Sequence, residues 1–206
     1  MPTPDRLAEI QRELAQLAAQ VAKGLKPMYV LHGDEPLLQQ EAADLIRQVA
    51  RQQGFSERSV FTVLGAHFDW SAVLAAGGSL SLFADRQIVE VRIPSGKPGK
   101  EGSQALQELA ELTQDNEALL VLVLLPRLDK ASLSSAWFTA LDARGVQIRI
   151  DPIERSALPA WIAQRLDAQG QRVQSGEAGQ HTLQFFADRV EGNLLAAHQE
   201  IQKLAL

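Results

Sequence analysis

The stretch Met28-Tyr-Val-Leu-His-Gly-Asp-Glu-Pro-Leu-Leu-Gln-Gln40 decides the fold. Met28 to Leu31 read as a buried strand, and Gly33 to Pro36 as a tight connection. From Leu37 onward Leu38, Ala42, Leu45, Ile46 and Val49 recur at helical spacing until Gly54. A strand, a glycine-bearing turn and an amphipathic helix open an α/β layer. Upstream, Leu7, Ile10, Leu14, Leu17 and Val21 form one apolar stripe, so a helix is expected there, closed by Gly24 and barred from continuing by Pro27. Downstream the alternation repeats. Strands are expected at Val60–Leu64, Arg86–Ile93, Leu119–Leu125 and Val146–Ile150. Helices are expected from Asp69, an N-cap, to the Gly77–Gly78 break, then over 103–114 and 131–143. The runs 28–31 and 119–125 lack alternation and are expected at the centre of a mostly parallel sheet. After Pro152 the pattern turns helical over 156–169, 177–190 and 193–205. The fold class is therefore an α/β domain with a parallel sheet over 1–150, followed by a small all-helical domain over 151–206. The last stripe runs to Leu206 without a cap, which reads as a truncated end.

Composition is that of an ordinary soluble globular chain: 206 residues, 46% apolar and 22% charged. The longest unbroken apolar run, Ala118 to Leu125, is eight residues and too short to span a bilayer. The opening residues MPTPDRLAEIQRE contain no apolar core of a secretory leader. Cysteine is absent, which excludes thiolate chemistry and a disulfide scaffold and fits a reducing cytoplasm. Net charge is −5, and neither part is basic: residues 1–150 carry 15 basic and 18 acidic side chains, and 151–206 carry 5 and 7. A stand-alone nucleic-acid-binding domain is not expected from such a balance.

Gly33 stands where a phosphate-binding loop would begin. That loop reads GxxxxGK[ST], because glycine lets backbone N–H groups approach phosphate and lysine meets its charge. Here Leu38, Gln39 and Gln40 occupy the second Gly, the Lys and the Ser/Thr positions, and Asp34 and Glu35 repel phosphate. No nucleotide site, and hence no nucleotide cofactor, is expected. The third strand lacks an Asp-Glu pair for magnesium; Glu90 and Arg92 read as a surface pair on an edge or half-exposed strand. His32, His67, His181 and His198 show neither HxxxH nor HExxH spacing, so no metal site is expected. No GxSxG is present. His32 reads as structural, and Asp129 as a charge at a helix N-terminus. Lys97 and Lys100 lie in the turn-rich loop Pro94–Gly102 and read as solvated. Ser79-Leu-Ser-Leu-Phe-Ala84 fits two readings: core, or an exposed plug for a partner's pocket.

Four stretches together carry a resemblance. They are Tyr29-Val-Leu-His-Gly-Asp-Glu-Pro-Leu-Leu38, Ser81-Leu-Phe-Ala-Asp-Arg86, Ala136-Trp-Phe-Thr-Ala-Leu141, and Glu191-Gly-Asn-Leu-Leu-Ala196 through Glu200-Ile-Gln-Lys-Leu204. Pro159-Ala-Trp161 adds to them. Over residues 25–206 the chain resembles the delta subunit family of the bacterial clamp loader, part of the DNA polymerase III holoenzyme. Each motif alone is weak; their order and spacing are specific.

The resemblance implies a clamp-loader ATPase fold: an α/β domain, a small helical domain and a helical collar, the collar lying beyond Leu206. It implies a subunit of a DNA-directed DNA polymerase (nucleotidyltransferase) complex that has lost ATP binding and hydrolysis. Such a subunit binds the ring-shaped sliding clamp, the beta subunit, and opens it for loading onto primed DNA in replication. The remaining partners implied are delta prime and tau/gamma, mainly through the collar, with primed DNA reached via the complex. The family's clamp-binding element is a Leu-Phe pair before the third strand, here Leu82 and Phe83 with Ser81 and Leu80 beside them. The Gln or Met that some members carry just before it is absent; Gly78, Ser79 and Leu80 stand there. An active P-loop ATPase and a generic ATPase-like adaptor are the alternatives.

Overall fold

A computed structural model describes residues 23–78 and 86–205, with Leu17, Ala19 and Val21. The stripe from Leu7 to Leu14 and the stretch Ser79–Ala84 lie outside the described residues. The described chain divides into two compact units. One holds the residues up to 34 together with 38–150, and the other holds 35–37 together with 151–205.

The larger unit is built on five parallel strands: β1 (Met28–Gly33), β2 (Glu57–Thr62), β3 (Gln87–Arg92), β4 (Leu119–Leu125) and β5 (Val146–Ile150). Their order is β2-β3-β4-β1-β5. β4 is central and β1 lies beside it, as their unbroken apolar runs require. Helix α1 (Pro36–Gln52) follows β1, and α2 (Trp70–Gly78) precedes β3. Helices α3 (Gly99–Leu112), α4 (Lys130–Leu133) and α5 (Ala136–Arg144) complete the unit. The alternate side chains Met28, Val30, Val89, Val91, Val121 and Val123 pack with α2, α3 and α5 in one core. The opposite sheet face, including Tyr29, Leu31, Leu120 and Leu122, is equally buried. The smaller unit holds α6 (Leu158–Ala168), α7 (Glu177–Val190) and α8 (Leu194–Lys203), with a 3-10 turn at Arg155–Ala157. Leu158, Trp161, Ile162, Ala187, Val190, Ala197 and Ile201 form its interior. No strand occurs after Ile150 among the described residues.

Four local readings are corrected. β2 runs over 57–62 rather than 60–64, because its backbone pairs Glu57 with Gln87 through Thr62 with Arg92. Leu64 falls past the last ladder bond, Val63 N–H to Arg92 O, and is exposed. Helix α3 begins at Gly99 instead of 103. Gly102 is not a turn residue: a Cβ there would stand 2.4 Å from the Trp70 ring, so glycine lets α3 approach α2. Gly77 and Gly78 do not break α2 but close it from inside; the same logic applies to Gly77, where a Cβ would meet Leu109 at 2.8 Å, whereas Gly78 faces open space. The helix expected over 131–143 is two, α4 and α5. Ser134 Oγ donates to Lys130 O and Ser135 Oγ to Ser132 O, and such side-chain bonds compete with helical ones.

Candidate functional site

The sheet has two ends that matter. At the carboxyl ends of β1 and β4, Gly33 turns the chain toward α1. A Cβ on Gly33 would lie 1.8 Å from Ile150 O, so this glycine is required by the neighbouring strand β5 and needs no phosphate to explain it. Leu38 is buried at the second glycine position of a phosphate loop. Gln39, at the lysine position, donates from Nε2 to Leu31 O at 3.3 Å and to Leu125 O at 2.8 Å. Its amide thus ties the ends of β1 and β4 together and satisfies carbonyls that would otherwise need water or a ligand. Gln40 is exposed. Asp34 Oδ1 accepts from Arg127 N–H at 3.2 Å, fixing the loop after β4. The mouth of the turn therefore presents an amide and a carboxylate, a poor setting for phosphate.

At the amino end of β3, the described residues on either side of Ser79–Ala84 are held close. Gln87 Nε2 donates to Ala76 O at 2.6 Å, joining β3 to α2. Gln87 N–H donates to Ala118 O. The Arg86 guanidinium donates to Gln53 O at 2.9 Å and lies 5.5 Å from the centre of the Phe55 ring. Leu80, Ser81, Leu82 and Phe83 themselves lie outside the described residues. What the structure supplies is their base: two chain ends pinned to one another.

β3 holds the functional-looking group that the sequence reading misplaced. It is an interior strand, between β2 and β4, and Glu90 is fully buried. Arg47, also buried, meets it through two bonds: Nε to Oε2 at 3.0 Å and Nη2 to Oε1 at 2.9 Å. Arg92 adds a third at 2.7 Å, and Arg58 approaches to 3.9 Å. Burial works against the Arg47 charge, but the bonds and charges of Glu90 and Asp44 outweigh it and raise the guanidinium pKa. The surface-pair reading of Glu90 and Arg92 is thus replaced by a buried ionic cluster. The signal was available: Ala43, Arg47 and Ala50 fall on one helical face, so Arg47 lies on the buried side of α1.

The remaining candidates are structural. His32 is buried, edge-on to the Phe138 ring at 5.7 Å. Asp129 caps α4, accepting from Ser132 N–H at 2.7 Å; that bond and the others to Ser132 lower its pKa. Asp69 accepts from the Ser71 hydroxyl and N–H at the start of α2, and its pKa falls for that reason. Among the described residues no cluster of three His, Cys, Asp or Glu could hold a metal. No helix among them is long and apolar enough to cross a membrane.

A parallel sheet of this order, with a glycine turn after its first strand and a helical unit after its last, defines an ATPase-like fold of the clamp-loader class. Solved structures agree on the fold. A RuvB variant of Thermotoga maritima superimposes with a TM-score of 0.56 at 16% identity, over 95% of this chain and 60% of that one. The DNA clamp loader delta protein of Bacillus subtilis superimposes with a TM-score of 0.63 at 20% identity, over 96% of this chain and 56% of that one. The chain belongs to the family of the DNA polymerase III delta subunit, whose model matches residues 29–151. DNA polymerase III subunit delta of Escherichia coli strain K12 is 38% identical over 191 residues, 93% of this chain and 53% of that protein. The chain spans about half the length of the curated relatives it matches.

Proposed function

We propose that the chain acts in the clamp loader of a bacterial DNA polymerase III holoenzyme as a subunit that does no chemistry of its own. It binds the sliding clamp and holds the ring open for loading onto primed DNA during replication, in the cytoplasm. Residues 1–150 form the clamp-binding domain and 151–206 a helical domain; delta prime and tau/gamma are the other subunits it works with. Leu82 and Phe83 enter an apolar pocket on the clamp, with Ser81 and Leu80 beside them. The observation that carries the reading is Gln39: at the lysine position of a phosphate loop stands an amide already bonded to two strand carbonyls. A family member with that substitution contributes binding rather than hydrolysis. Apolar anchors in a desolvated pocket dominate such binding. The pinned base at Gln87–Ala76 supports it too, because a plug presented from a fixed base loses less entropy on docking. The test is capture of purified sliding clamp by the immobilised chain. Retention that disappears in the Leu82→Ala, Phe83→Ala variant supports the reading; retention unchanged by the double substitution overturns it.

A further inference from the structure

Arg86 is the first described residue after Gly78 and the last before β3. The backbone of its neighbour Gln87 is fixed from both sides, because Glu57 of β2 and Leu119 of β4 pair with it. Arg86 lies outside that ladder and is held by its side chain instead. The guanidinium donates to Gln53 O at 2.9 Å and lies 5.5 Å from the centre of the Phe55 ring. Gln53 closes α1, its N–H bonding Val49 O, and a cation is favoured at that end of a helix. Phe55 is buried, so its ring is a fixed platform for the cation. Only Ala84 and Asp85 separate Arg86 from Phe83. Three links of chain span at most about 11 Å between Cα atoms.

We propose that Arg86 is a positioning residue for clamp binding, an inference that rests on the Leu82–Phe83 reading above. By tying the residue before β3 to the end of α1, the guanidinium carries the fixed part of the chain one residue closer to the Leu-Phe pair. Without that tie the fixed backbone begins at Gln87, and one more residue has to be ordered when the clamp docks. The entropy of ordering it then weakens docking. Arg86 acts through the pair and does not itself touch the clamp. Phe55 separates these two modes of action. Its ring is buried and out of a partner's reach, so its effect on clamp binding passes through Arg86.

The experiment titrates purified sliding clamp onto the whole chain, parent and variants, with a melt recorded on each preparation. Arg86→Ala should weaken clamp binding about five- to thirtyfold, the range that ordering one residue's backbone corresponds to. Arg86→Lys keeps a donor for Gln53 O and a cation for the ring, and should restore most of the affinity. Phe55→Leu keeps an apolar side chain but removes the ring face. It should weaken binding about two- to fivefold, and less than additively with Arg86→Ala. Asp129→Ala removes the α4 cap at the other end of the sheet; it should lower the melt and leave clamp affinity at the parent's value. If Arg86→Ala does not fold, Phe55→Leu and Arg86→Lys carry the test. Parent-level binding by Arg86→Ala overturns the inference and leaves the clamp-binding reading intact. So does an Arg86→Lys variant as weak as Arg86→Ala. A Phe55→Leu variant that binds like the parent while Arg86→Ala is weak overturns it too, because Arg86 would then contact the clamp directly. Affinity that falls with the melt in Asp129→Ala makes the effect one of stability and overturns it as well. A parent that captures no clamp overturns the reading on which the inference rests, and that result appears before any variant is compared.

Discussion

The carboxyl end of β1 and the amino end of β3 are built on opposite principles. At the first, a turn with the layout of a phosphate loop is closed by the chain's own groups: Gln39 on two carbonyls, Asp34 on the Arg127 N–H, Gly33 against Ile150. At the second, Gln87 and Arg86 fix the base of a short segment whose Leu-Phe pair carries the proposed function. At the turn after β1 the side chains of Gln39 and Asp34 already bond the chain's own backbone groups. Under the proposed function, the contrast is that the fold is kept while the site of action lies at the other end of the sheet.

The largest effect expected is at Gly33. Gly33→Ala puts a Cβ into Ile150 O, and β1 and β5 cannot both hold their register. The loss should exceed about 4 kcal/mol, at the extreme of single substitutions. Denaturant unfolding measures it; a loss below about 1 kcal/mol, on the same scale, would show that the strands yield and that packing does not explain this glycine.

Next in size is the cluster under α1. Arg47→Met leaves Glu90 buried with Arg92 as its nearest cation, and breaking a buried pair costs about 3–5 kcal/mol. The double change Arg47→Met, Glu90→Leu should recover most of that, because no stranded charge remains. A double-mutant cycle reads the coupling directly. Additive losses would mean the two residues do not act as a pair.

Gln39→Leu should cost about 1–3 kcal/mol, since two strand carbonyls lose their donor. The same end of the sheet should give no heat of binding with Mg-ATP, in the parent or in Gln39→Lys, because Leu38, Gln40 and the carboxylates remain. Micromolar binding by the parent would restore the phosphate-loop reading and break the comparison.

The smallest effect expected is on acid unfolding. Asp69 and Asp129 are exposed caps whose carboxylates are held below their ordinary pKa by bonds from Ser71 and Ser132. The unfolded chain then binds their protons more readily than the folded one. Their contribution is complete above roughly pH 4 and fades as pH falls through the lower folded-state values. Asp129→Asn should therefore differ most from the parent near neutrality and converge with it in acid; a gap that widens as pH falls would contradict the assignment.

Much of this was legible in the sequence, for physical reasons that can be named. β1 and β4 declared themselves through unbroken apolar runs, and β4 and β5 have the expected bounds. The loss of lysine at Gln39 was plain from spacing alone, yet what Gln39 does instead was not, because its acceptors Leu31 and Leu125 are brought together only by strand pairing. Glu90 was misread because a charged residue in a strand suggests exposure, and its partner Arg47 is distant in sequence. Glycines misled at 77 and 102, where they mark helix contact instead of a break. The Leu82–Phe83 element was singled out only through the family resemblance, since the residues themselves fit core and plug alike, and it lies outside the described residues.

The central claim is tested most directly by one pair of readings on the Leu82→Ala, Phe83→Ala chain: clamp affinity by surface-immobilised titration, and melting temperature on the same preparation. Burial of one Leu and one Phe is worth about 3–6 kcal/mol in all, less the entropy of association. The account predicts a loss of up to a few orders of magnitude in affinity, with a melt close to the parent's. Clamp binding equal to the parent's would contradict it, and so would a melt many degrees lower, because the pair would then belong to the core of this chain and not to the pocket of its partner.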